Sequence, residues 1–171
     1  MFKALIILFL LTFTLSAQEM NKIIIEKKSE KPMLIGLCDR EAFADSNFSW
    51  WFNSAYNFYE PKKIIVEDLL KFNNNFTLTI VMGTWCSDSR KQVPSFYKLL
   101  DELNYPQEKI TLINVDRNKE TNDVDVSKLN IELVPTFIVY NNGKDIGRII
   151  ESPIESLESD LLKILQNYSK E

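Results

Sequence analysis

The sequence contains no histidine, only two cysteines and only four glycines in 171 residues. Without histidine there is no imidazole general base and no Ser/His or Cys/His nucleophile pair, and the commonest transition-metal ligand is missing. Two cysteines do not make a structural zinc site, so no metal and no other cofactor is expected. Positive charge is also in short supply, with 20 Lys and Arg against 24 Asp and Glu and a net charge of −4. That balance offers no footprint for a phosphate backbone and sets nucleic acid aside as a partner. With few Gly and Pro, 45% hydrophobic and 26% charged residues, the chain falls outside the disordered and fibrous classes. Its length suits one core.

Long apolar runs are absent except at the start. Lys3 and the free amine precede an apolar or Thr-containing run over residues 4–15, and Ser16-Ala17 supplies small residues before polar Gln18 and Glu19. This is the pattern of a secretory signal over residues 1–17. The run falls short of the roughly 20 apolar residues that span a hydrocarbon core, so no stable membrane span is expected after cleavage. The expected location is therefore outside the cytoplasm, periplasmic or extracellular, where disulfides persist.

Residues 18–60 read as an aromatic-rich, mainly helical extension. Residues 18–31 are polar apart from Ile23, Ile24 and Ile25 and suit a mobile leader or a short edge strand. Residues 33–38 suit a strand, and Asp39 is a fitting N-cap for a helix beginning there. Phe43, Phe48, Trp51, Phe52, Ala55, Tyr56 and Tyr59 recur mainly at three- and four-residue steps, one helical face, with residues 45–47 a point where the helix breaks. Such a stripe reads as packing surface before it reads as a ligand groove.

Residues 61–171 alternate regularly. A helix opens at Pro61 and stops at residues 73–75, a strand covers 76–82, a helix 89–103, a strand 110–115, and a short helix lies near 124–129. A strand at 136–140 turns at Asn142-Gly143 into another at 145–150. Ser152, Pro153 and Glu155 then have the form of an N-cap, first-turn proline and capping-box acid for a last helix. The early crossovers require parallel neighbours and the hairpin adds an antiparallel edge, an α/β mixed sheet flanked by helices.

Within this order, Gly83-Thr84-Trp85-Cys86-Ser87-Asp88-Ser89 directly follows a strand and opens a helix, Pro94 lies inside that helix, and Val134-Pro135-Thr136 precedes the next-to-last strand. These residues resemble the WCxxC loop, the helix-kinking proline and the cis-proline loop of the thioredoxin family, over residues 62–168. The form of the loop, with the aromatic extension ahead of it, is similar to exported thioredoxin-family proteins of Bacteroidetes-type bacteria. The resemblance implies a thioredoxin fold, a nucleophilic Cys86, and substrate contacts at Trp85, Val134 and Pro135. Two residues depart from the family pattern. Ser89 stands where the second cysteine is found, and Ile80 where an acid is buried, so the dithiol reductase mechanism is missing.

Placed at a helix N-terminus, Cys86 meets N–H groups and a macrodipole end that favour thiolate over thiol. Ser89 adds a hydroxyl, Arg90 adds positive potential, and Asp88 opposes both if it turns toward the sulfur. Cys38 has two readings, a buried small hydrophobe or the thiol that resolves Cys86 adducts, and the second requires Cα atoms within roughly 7 Å. The expected function is thiol–disulfide exchange of isomerase or monothiol-reductase type. Its partners would be exported proteins bearing disulfides or thiols, together with an external thiol reductant. Two alternatives stand beside it: a peptide-binding or chaperone-like module without turnover, and a structural protein with a Cys38–Cys86 disulfide.

Overall fold

A computed structural model of the chain describes residues 20–72 and 75–169. The expected signal, and Asn73 and Asn74 of the expected helix stop, lie outside the described residues. In chain order the elements are β1 (Lys22–Ile25), β2 (Pro32–Cys38), a 3-10 segment at Arg40–Ala44, α1 (Ser46–Phe58), α2 (Lys63–Leu70) and β3 (Thr77–Met82). Then come α3 (Ser87–Glu102), β4 (Ile110–Asn114), β5 (Thr136–Asn141), β6 (Lys144–Ile150) and α4 (Leu157–Tyr168). No helix among the described residues is long and apolar enough to cross a membrane.

The six strands form one mixed sheet in the order β1-β2-β4-β3-β5-β6. Only β3 and β4 run parallel, joined through α3, and every other neighbouring pair is antiparallel. β3 sits between β4 and β5, and Ile80, Val81 and Met82 are fully buried, as expected of an apolar run covered on both faces. The central position of β3 places the loop after it in the middle of the sheet's edge, where chemistry in open α/β sheets is usually found.

One core takes Leu34, Leu78, Ile80, Met82 and Phe137 from the sheet and residues from all four helices. A second, smaller one joins Val81, Ile113 and Val115 to Val126 and Val134, with Trp85 and Cys86 packed at its border.

The extension is not an appendage. The strand expected at 33–38 forms as β2 and lies antiparallel against β4 inside the sheet, and Lys22–Ile25 takes the edge-strand option as β1. The aromatic stripe is core: Phe43, Phe48, Trp51 and Phe52 are buried, and Phe43 stacks on Phe52 at 4.7 Å. The helix does break where expected, because the Asp45 side chain accepts from the Asn47 N–H and starts α1 afresh. Tyr56 and Arg40 both donate to Asp101 of α3, each at 2.7 Å, and Tyr59 donates to Glu158 of α4 at 2.5 Å. Residue 60 therefore marks no boundary in the core.

One expected helix start and one expected helix are corrected. Ser152 does not cap the last helix. Residues 151–156 form a bend in which the Asp160 carboxylate accepts from the Ile154 and Glu155 N–H groups, and Ser156 is the N-cap, its Oγ accepting from Ser159 N–H at 3.2 Å. Near residue 126 only one 3-10 turn forms, Ser127–Leu129, because Asn130 turns into the left-handed region (φ 51°) and ends it.

Candidate active site

Cys86 is the N-cap of α3. Its N–H donates to the Gly83 carbonyl at 2.9 Å and its carbonyl accepts from Arg90 N–H at 3.1 Å, so the turn Gly83-Thr84-Trp85 delivers the sulfur to the start of the helix. The side chain is partly exposed and unpaired with any other sulfur. Its Sγ donates to the Val134 carbonyl at 3.2 Å, across the cleft between the β3–α3 loop and the segment leading into β5. The Val134–Pro135 peptide bond is cis. Thr136 Oγ1 donates to the Leu133 carbonyl at 2.7 Å and Glu151 N–H donates to the Pro135 carbonyl at 2.7 Å, which tie this segment down on both sides.

Trp85 closes one flank. Its indole N–H donates to the Val115 carbonyl at 2.9 Å, and the Arg117 guanidinium sits 4.9 Å over its ring. Arg117 is itself held by Glu26, 3.1 Å from Nε, so a residue just past the end of β1 braces Trp85. The Glu26 carboxyl is held down at about 2, first by its hydrogen bond to Arg117 and then by Ser29. Gly83 is required here by close approach: a Cβ would lie 2.4 Å from Trp85 Nε1.

Ser89 is fully buried, and its Oγ accepts from Gly83 N–H at 3.3 Å. It braces the loop, and its hydroxyl is not drawn to the sulfur. Asp88 does turn toward Cys86, with Oδ2 3.9 Å from Sγ. Arg90 turns away from the sulfur, because its Nε donates to the Thr84 carbonyl at 2.5 Å and its guanidinium lies 6.0 Å from the Trp51 ring. Thr84, which the sequence pattern did not single out, is almost fully buried, and its hydroxyl accepts from Leu34 N–H at 3.2 Å, stitching β2 to the loop. Its signal was the Gly-Thr-Trp-Cys spacing, which leaves Thr84 pointing inward.

Cys38 does not join the site. It pairs in register with Leu112, which pairs with Ile80, at the level of the sheet's middle. Leu34, the β2 residue bonded to Thr84 of the Cys86 loop, lies four residues back along the strand and so about 13 Å away. Cys38 is buried and its thiol is pushed up to about 11 by burial. The sheet separates the two cysteines, and neither a resolving thiol nor a Cys38–Cys86 disulfide is compatible with this register.

A cysteine capping the helix after the central strand, facing a cis X-Pro carbonyl across a mixed sheet flanked by helices, defines a thiol-centred protein of the thioredoxin fold. Comparison with known proteins agrees. The thioredoxin family matches over residues 64–165. The chain is 29% identical over 82 residues to a chloroplastic thioredoxin Y of Oryza sativa subsp. japonica, covering 48% of this chain and 46% of that protein. It is 30% identical over 85 residues to a thioredoxin of Alicyclobacillus acidocaldarius, covering 49% and 76% respectively. The chain thus spans less than half the length of the rice relative. A Pseudomonas aeruginosa protein of unknown function shares the fold with TM-score 0.59 and 17% identity, over 78% of this chain and 94% of that one. The chain belongs to the thioredoxin family.

Proposed function

We propose that this is an exported thiol–disulfide exchange protein of monothiol type, with Cys86 as nucleophile. The observation that supports it is the partly exposed Cys86 sulfur at the cap of α3, 3.2 Å from the Val134 carbonyl, with Ser89 where a resolving thiol would stand. The Cys86 thiolate attacks one sulfur of a partner disulfide. An S–S bond forms between Cys86 and that sulfur while the partner's own S–S bond breaks, and the departing sulfur takes a proton from water. Release takes one of two routes. Another thiol of the partner attacks the linked partner sulfur, leaving a rearranged partner disulfide and no net redox change. Alternatively, an external dithiol attacks, ends as its own disulfide, and leaves the partner reduced. Main-chain groups flanking Cys86, the Val134 carbonyl among them, suit an extended partner segment.

Residues 1–17 support export in a cleaved precursor. Mass analysis of the secreted protein is expected to place its first residue at or near Gln18, and a retained leader would overturn that part. For the chemistry, the wild type is expected to hold a mixed disulfide with a model disulfide peptide long enough to isolate, and Cys86→Ala to form none. Ser89→Cys, three residues along the same helix face, is expected to shorten the adduct's lifetime. Adduct formation in Cys86→Ala, or equal lifetimes in wild type and Ser89→Cys, would overturn the monothiol mechanism.

A further inference from the structure

We infer that a basic, tryptophan-walled pocket one helical turn from Cys86 recognises an acidic side chain of the disulfide partner; the inference rests on the exchange chemistry proposed above. The pocket is a cavity of about 320 Å³ bounded by Lys31 and Pro32 at the start of β2, by Asn47, Phe48 and Trp50 of α1, and by Arg90 of α3. All of these except Arg90 come from the α1 and β2 region ahead of the stretch that matches the thioredoxin family.

Three features set the pocket apart from ordinary surface. Trp50 is 66% exposed while its neighbours Trp51 and Phe52 are 6% exposed, so the core does not account for its indole. The protein has four arginines, and Arg40, Arg117 and Arg148 each pair with a carboxylate, whereas Arg90 has none within ion-pair distance among the described residues. Lys31 likewise has no acidic partner among them. Of the acids around it, Asp45 accepts from both the backbone and side-chain nitrogens of Asn47 at 2.8 Å, and Asp88 faces the Cys86 sulfur.

The position is what gives these cations a use. Arg90 Nε is fixed on the Thr84 carbonyl, two residues before Cys86, which leaves the end of the guanidinium fork free. In the strand order β2-β4-β3-β5, Lys31 and Pro32 lie on the β2 side of the Cys86 loop and Val134 lies on the β5 side. A chain seated across Cys86 against Val134 therefore presents a side chain on the far side to Arg90 and Lys31. A carboxylate there meets a fork suited to it and a second cation, beside the apolar face of Trp50. In a protein of net charge −4, a paired-cation pocket one helical turn from the nucleophile favours partners with an acidic side chain at that distance.

The test uses the full mature chain and short peptides whose single cysteine is linked by a disulfide to a chromophoric aromatic thiol. The peptides differ only in carrying Glu, Gln or Lys beside that cysteine. The rate of chromophore release reports attack by Cys86. The Glu peptide is expected to react roughly tenfold faster than the Lys peptide at low salt, with the ratio collapsing at about 0.5 M salt. Lys31→Glu, an exposed substitution, is expected to bring the two peptides level or invert their order, and Arg90→Gln to reduce the preference. Equal rates for the three peptides in the wild type, or an unchanged ranking in Lys31→Glu, would overturn the pocket while leaving exchange intact. Failure of every peptide to react would overturn the exchange reading and the pocket with it.

Discussion

Cys38 is buried with its thiol pushed up to about 11, whereas Cys86 stands partly exposed at a helix cap. Reactivity tracks the thiolate and its access, so an alkylating agent at neutral pH is expected to label Cys86 in the native protein and leave Cys38 untouched until the chain is denatured. Peptide mapping after a timed pulse reads this directly, and labelling of both at one rate would contradict the burial argument. Gly83 makes a second residue-scale case. Gly83→Ala puts a methyl 2.4 Å from Trp85 Nε1, so the indole must leave the Val115 carbonyl. Overpacking of this kind costs about 1–3 kcal/mol, and denaturant titration together with a shift in tryptophan emission measures it.

At the scale of elements, α3 does two jobs that meet at its first turn. Its inner stripe, Val93, Phe96, Leu99 and Leu100, is fully buried, so the helix is anchored along its length and Cys86 is held at a fixed end. α1 packs onto the same helix through Phe52, whose ring lies 5.9 Å from that of Tyr97. Phe52→Ala is expected to cost about 3–5 kcal/mol in urea unfolding, the range for a buried aromatic, which would mark the extension as structural core. The last helix offers a sharper comparison. Ser156→Ala removes the side-chain cap of α4 and is expected to cost about 1 kcal/mol, while Ser152 lies outside the helix and its Oγ accepts only a long bond from Gln92 Nε2, 3.4 Å, so Ser152→Ala is expected to cost less. The reverse ranking would restore the helix start suggested by the Ser-Pro pattern.

For the whole molecule, one sheet and a shared core bind residues 20–60 to the rest, so unfolding is expected to be a single cooperative transition. Trp50 and Trp51 sit in α1 and Trp85 in the loop between β3 and α3. Fluorescence of variants that keep one region's tryptophans should therefore report one midpoint, coincident with far-UV circular dichroism. Acid response also belongs to this scale, because Glu26 and Arg117 join the first hairpin to the loop after β4. The Glu26 carboxyl is lowered from 4.5 to about 2 in the folded chain, so between these values the unfolded chain binds more protons. Its contribution is complete above about 4.5 and is lost as pH falls toward 2. Glu26→Gln is expected to flatten the fall of stability with pH across that window, as thermal unfolding at a series of pH values would show.

Features whose cause is local could be read along the chain. Apolar period, turn residues and the Trp-Cys spacing located most strands and helices, the hairpin at Asn142-Gly143, the break at Asp45 and the loop carrying Cys86, because each depends on residues a few positions apart. The Ser-Pro pattern pointed to Ser152 as the cap of the last helix, and the reach of Asp160 to the Ile154 and Glu155 N–H groups moved the start to Ser156. The tertiary structure decided whatever joins distant residues. It set β2 beside β4, which carried Cys38 to the middle of the sheet and away from Cys86. It turned Arg90 onto Thr84, placed Asp88 by the sulfur, and braced Trp85 through Arg117 with Glu26. Strand order and side-chain pairing between segments far apart in the chain depend on how whole surfaces pack, and no local pattern encodes that.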